Sequence, residues 1–93
     1  MSFTKDSAAQ RAKQDLSERL GLDTGDLKEL GVTDRDFPDM SLGSPVADEM
    51  AAQMISSGWV IRLGAADDVY EYRADKYQIR LHNFNGTNYV IES

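Results

Sequence analysis

The sequence predicts an α+β domain, with an N-terminal helix packed on an antiparallel β-sheet meander of about four strands. Three observations carry that reading. Apolar residues recur three or four apart over residues 5–20, and the period switches to two after Gly58. The alternating half is also divided by short turns. At 93 residues, the chain suits one domain spanning 1–93. It contains no cysteine, so neither a disulfide nor a thiolate metal site contributes, and burial must supply the stability.

The helix is the first element. Thr4 is placed to cap it and Asp6 to favour its positive end, while Ala8, Ala9, Ala12, Leu16 and Leu20 form one narrow apolar stripe. Gly21 supplies the left-handed stop. A stripe this rich in alanine suits close approach to a sheet. Residues 23–26 read as a turn or cap, and a strand is expected around 28–35. Phe37-Pro38-Asp39 breaks regular structure, because proline pushes the preceding residue to an extended conformation. Ser41 to Pro45 continues as loop. A second short helix is expected at 45–56: Ser44 caps, Pro45 sits at the first helical position, and Val46, Met50 and Met54 recur at four.

From there Trp59, Ile61 and Leu63 alternate with polar or outward residues, as do Tyr70 and Tyr72, then Tyr77, Ile79 and Leu81. Asn85-Gly86 is a strong hairpin signal, since a type I′ turn needs positive φ at both central positions. Tyr89-Val90-Ile91 closes the sheet. Short connections imply antiparallel pairing with one apolar and one polar face.

Charge narrows the function classes. The net charge of −6 disfavours nucleic acid, whose phosphates require a basic face. No run approaches the roughly eighteen apolar residues of a membrane span. No apolar stretch follows Lys5, so the sequence predicts no secretory signal and a cytoplasmic protein.

The stretch Phe37-Pro38-Asp39-Met40-Ser41-Leu42-Gly43-Ser44-Pro45, followed by Ala52-Gln53-Met54-Ile55-Ser56-Ser57-Gly58-Trp59-Val60-Ile61 and Tyr70-Glu71-Tyr72, resembles an uncharacterised family of small bacterial domains. The family pattern runs (Trp/Phe)-Pro-Asp-x-Ser-Leu-Gly-(Cys/Ser)-Pro, after a helix ending in Arg-Leu-Gly, here Arg19-Leu20-Gly21. The resemblance implies a cysteine at position 44 and a second near position 82 in many relatives. Here Ser44 and His82 stand in those places, which makes them neighbours if the resemblance holds. It implies a fold and no reaction. In relatives the 45–56 segment reads as extended, against the helix read from local pattern.

Four chemistries can be weighed. Asp34, Asp36 and Asp39 offer carboxylate oxygens suited to Ca²⁺, but Pro38 and Asp39 violate the EF-hand spacing. One histidine and no cysteine leave zinc without a ligand set, so no metal and no cofactor is expected. A hydrolase would need Ser44, His82 and an acid such as Asp36 or Asp39 in contact, and no strained nucleophile turn is present. Nucleotide binding lacks its glycine-rich loop. The favoured reading is a small, monomeric, non-enzymatic module that binds a protein or peptide, inhibitor-like or accessory. Its candidate residues are Phe37, Asp39, Met40 and Leu42 in the loop, with Arg62, Arg73, Arg80 and His82 on the polar sheet face.

Overall fold

The computed structural model describes residues 2–93. Helix α1 spans Lys5–Leu20 and opens with a reciprocal cap. Thr4 Oγ1 accepts from the Ser7 amide at 3.1 Å, and Ser7 Oγ accepts from the Thr4 amide at 2.8 Å. Two of the helix's orphan donors are thereby satisfied. Gly21 ends it in the left-handed region at φ 69°, as the sequence predicts. A single 3₁₀ turn, Thr24–Asp26, leads into the sheet.

Five strands follow: β1 Lys28–Phe37, β2 Ser56–Ala65, β3 Asp68–Ala74, β4 Ile79–Phe84 and β5 Thr87–Glu92. They lie in sequence order, and every neighbouring pair is antiparallel. The count is five where about four were expected. β1 accounts for the difference: the strand expected around 28–35 extends to Phe37, which Pro38 holds extended, and joins the meander as its edge by pairing with β2.

One face of the sheet receives α1. Ala8, Ala9, Ala12 and Leu16 pack against Ile61, Leu63, Tyr72, Ile79 and Leu81, all of them buried. The alternation in β2 to β4 therefore points inward where the sequence placed it. Inside this core, Tyr72 keeps its hydroxyl partnered by donating to Asp15 Oδ2 at 2.7 Å. Burial, reinforced by the Asp15 carboxylate, pushes that phenol far above its usual range.

The helix expected at 45–56 does not form. Residues 45–55 are irregular, with a turn at Ala47-Asp48 and positive φ at Asp48 (63°). Segment 38–55 instead crosses the second face of the sheet as a strap joining β1 to β2. The reason lies in what that face presents. It carries Arg73, Gln78, Arg80 and Asn88, whose donors need acceptors. A helix over 45–56 would tie up the Ser44 and Pro45 carbonyls in its own first turn, whereas the irregular strap leaves both free to accept from Arg80 and Asn88, beside those of Met40, Leu42 and Gly43 in the preceding loop. Because α1 occupies the larger apolar face, Met50 and Met54 find no comparable core on this side and stay exposed.

Candidate functional site

The strap begins with the Pro38–Pro45 motif, whose Asp39, Ser41, Leu42 and Ser44 side chains are engaged internally. Asp39 Oδ1 accepts from the Ser41 amide at 2.9 Å and from the Ser41 hydroxyl, which tightens the turn. The Ser41 hydroxyl bond, then the Ser41 amide, hold this carboxyl below the usual aspartate range. Leu42 and Gly43 follow with positive φ of 59° and 67°. At Gly43 the positive φ favours glycine, and a Cβ would lie 2.7 Å from Arg73 Nη1 and push that guanidinium off the carbonyls it holds. The turn drives Leu42 inward beside Phe37 and Val60 to form a second, small apolar cluster.

The sheet pins the strap from below. Arg73 Nη1 donates to the carbonyls of Leu42 and Gly43, each at 3.1 Å. Arg80 Nη1 donates to the Ser44 carbonyl at 3.1 Å, and the Arg80 guanidinium grips both oxygens of Glu49. Gln78 Nε2 donates to the Met40 carbonyl at 2.6 Å, and Asn88 Nδ2 to the Pro45 carbonyl at 2.8 Å. Arg73 and Arg80 face each other directly across β3 and β4. Like charges so placed repel, and the carboxylates of Glu71 and Glu49 offset them. The Arg80 hydrogen bond holds Glu49 below the usual glutamate range, although its partial burial opposes this. Burial raises the Glu71 carboxyl, but Arg73 outweighs it and the net direction is downward.

Arg80 is 4% exposed, so its removal leaves a partly buried carboxylate and a strap without its central clasp. Arg80→Ala is expected to cost about 3 kcal/mol in urea unfolding and to open residues 46–53 to protease. Arg80→Lys should recover little of this, because a point charge cannot reproduce the two-pronged grip.

These contacts relocate the residues that the sequence put forward. Phe37 and Leu42 are buried, at 1% and 0% exposure, so the loop packs under itself at these positions. Asp39 serves its own turn. Arg73, Arg80 and His82 hold the strap, so the polar sheet face they share is covered where they stand. Arg62 stays exposed and pairs with Glu71 at 3.5 Å. Met40 alone of the eight lines an open groove.

Ser44 and His82 do meet, with Oγ and Nδ1 2.8 Å apart. Ser44 is fully buried, and neither aspartate considered for a catalytic group joins the pair. Asp36 accepts from the Ser57 hydroxyl at 2.8 Å and Asp39 from Ser41. Asp34 faces Lys5 at 3.3 Å. The three acidic residues thus point to three different partners. Among the described residues, no group of three or more His, Asp or Glu side chains is gathered to hold a metal.

The groove lies where the strap returns to the sheet. It has a volume of about 300 Å³, with Met40, Met54, Ile55, Ser57 and Tyr77 along its walls. Met54, Ile55 and Tyr77 are 63%, 75% and 69% exposed, and nearby in the chain Met50 is 97% exposed. The sequence reading assigned Met50 and Met54 to a helix face and counted Tyr77 with Ile79 and Leu81 in one alternating run. A signal for the alternative was present in Met50-Ala51-Ala52-Gln53-Met54-Ile55, an apolar stretch with no charge and no proline.

No curated protein and no solved structure matches the chain. The strap, its anchors on β3 and β4, and the groove all fall within residues 9–82. That is the stretch matched by the model of a family described as Domain of unknown function (DUF8738), and the chain belongs to that family.

Proposed function

We propose that this domain is a small, non-enzymatic protein-binding module that receives an apolar segment of a partner at the end of the strap. The observation that carries the reading is the exposure of Met50, Met54 and Ile55 in one short stretch beside the Tyr77 wall of the groove. Large apolar side chains grouped in this way mark interaction surfaces. Methionine suits such a role because its flexible thioether repacks against differently shaped partners. Both sheet edges have register breaks, at Glu29/Gly31 on β1 and at two places where β4 meets β5. Bulges of this kind blunt edge-to-edge pairing and favour a monomer that engages its partner through the strap. A cysteine-free chain suits a reducing compartment, and we place the module in the cytoplasm.

Photo-crosslinking in a lysate of the source organism tests the reading. A crosslinker at position 54 is expected to give a discrete protein adduct, and one at position 25, in the 3₁₀ turn Thr24–Asp26, none. Met54→Glu should abolish capture while changing stability by less than about 0.5 kcal/mol, as for an ordinary surface site. Equal adducts at both positions, or undiminished capture by Met54→Glu, would remove the groove from consideration.

A further inference from the structure

His82 is the chain's single histidine, and its environment is built for a neutral ring. Nδ1 faces the Ser44 hydroxyl, which is fully buried and makes its one side-chain hydrogen bond there. Ser44 is also the strap's central node, since its carbonyl accepts from Arg80. With a neutral imidazole that carries its hydrogen on Nε2, the hydroxyl donates to Nδ1. With a protonated ring, Nδ1 carries a hydrogen, the hydroxyl must turn to accept, and its own proton loses in a buried site the one side-chain acceptor the structure gives it.

Charge acts in the same direction. β3 contributes Glu71 directly opposite His82, with Arg73 two residues along. Arg35 of β1 also acts on the ring, while Arg62 of β2 pairs with Glu71 and Arg80 of β4 pairs with Glu49 of the strap. Glu49 is engaged by Arg80, and Glu71 by Arg73 and Arg62. A further positive charge on His82 therefore meets arginines whose carboxylates are already paired.

We propose that His82 is an acid-sensitive latch, and that its protonation frees residues 44–55 from the sheet and disassembles the groove. The consequence for a partner rests on the binding role proposed above; the release of the strap does not. Burial and the nearby Arg73 lower the His82 pKa below the ordinary 6.5, with Glu71 opposing them. A state with the strap released takes up the proton more readily than the closed state. Anchoring is thus complete above the ordinary value and lost as pH falls through the lowered one.

Amide hydrogen exchange on the intact chain, corrected for intrinsic rates, tests the latch at about pH 7.5 and about pH 5. The amides of Met40, Ser44 and Glu49, which donate to Ala52, Ser41 and Val46, should lose protection several-fold at the lower pH. Those of β2 to β4 should hold. His82→Gln, which keeps a polar side chain but does not titrate, should remove the pH dependence. Should that variant fold poorly, the wild type supplies its own check, because the His82 ring and the Met50 and Met54 methyls should titrate together in NMR spectra. Unchanged strap protection at the lower pH, or a pH dependence that survives in His82→Gln, would overturn the latch. A strap that loosens while Met54→Glu still captures the partner would leave the latch standing and remove the binding role alone.

Discussion

Gly58→Ala is expected to destabilise the domain by about 3 kcal/mol, more than any other small-residue change in the sheet. A Cβ at this position would lie 2.0 Å from the Ala74 carbonyl oxygen, 3.0 Å from its carbon and 3.1 Å from the Asp75 Cα. All three are backbone atoms, so no rotamer change relieves the overlap and the start of β2 would have to separate from the end of β3. Gly25→Ala is the matched control, since nothing lies within 4 Å of its added methyl. Urea unfolding of the two variants measures the contrast. A Gly58→Ala midpoint equal to that of wild type would show that β2 and β3 do not approach so closely. The same contact explains why Gly58 stands before Trp59 in the stretch that resembles the family pattern.

Asp75→Ala should cost a similar amount, about 3 kcal/mol, for a different reason. Asp75 is 2% exposed, and its carboxylate accepts from the Ser56 hydroxyl at 2.6 Å, the Tyr77 amide at 2.8 Å and the Gln78 amide at 3.0 Å. Alanine leaves all three donors without that acceptor in a largely dry site. Asparagine can accept from both amides through its oxygen and bond the Ser56 hydroxyl through its nitrogen, so Asp75→Asn should lose only about 1 kcal/mol. Thermal and urea melts separate the two variants. Equal losses would indicate that the negative charge, rather than the count of hydrogen bonds, sustains the turn. This turn presents Tyr77 and meets Ser56, where the strap rejoins the sheet. Partner capture should therefore fall in Asp75→Ala even below its unfolding midpoint.

Much of the fold was legible because its signals are local. The Thr4 cap, the alanine stripe and Gly21 delimit α1 with no reference to the rest of the chain. The alternation of Ile61, Leu63, Tyr72, Ile79 and Leu81 selects the buried face, since a one-residue slip would turn all of them to solvent. The 45–56 segment reads wrongly for an equally physical reason. Pro45, the acidic residues after it and the methionine spacing are sound helix signals, but they carry no information about unpaired donors elsewhere. Arg80 and Asn88 lie more than twenty residues beyond the segment in sequence, and their demand for the Ser44 and Pro45 carbonyls exceeds the local preference.

The candidate site divides along the same line. Phe37 and Leu42 are apolar residues in a long loop, and sequence cannot tell a loop that folds under itself from one that offers its side chains outward. The positive φ values at Leu42 and Gly43 settle that question by turning Leu42 against Phe37 and Val60. Likewise, three arginines on one sheet face could serve a ligand or the protein itself, and only the strap's path shows Arg73 and Arg80 already engaged. Periodicity and turn chemistry are enough to set the helix, the meander and the inward face, whereas the nearness of positions 44 and 82 is implied only by the family resemblance and is established by the folded chain. Tertiary structure alone decided which face the strap covers and which apolar residues remain outside. Both outcomes follow from the need of buried hydrogen-bond donors to find acceptors across the whole molecule.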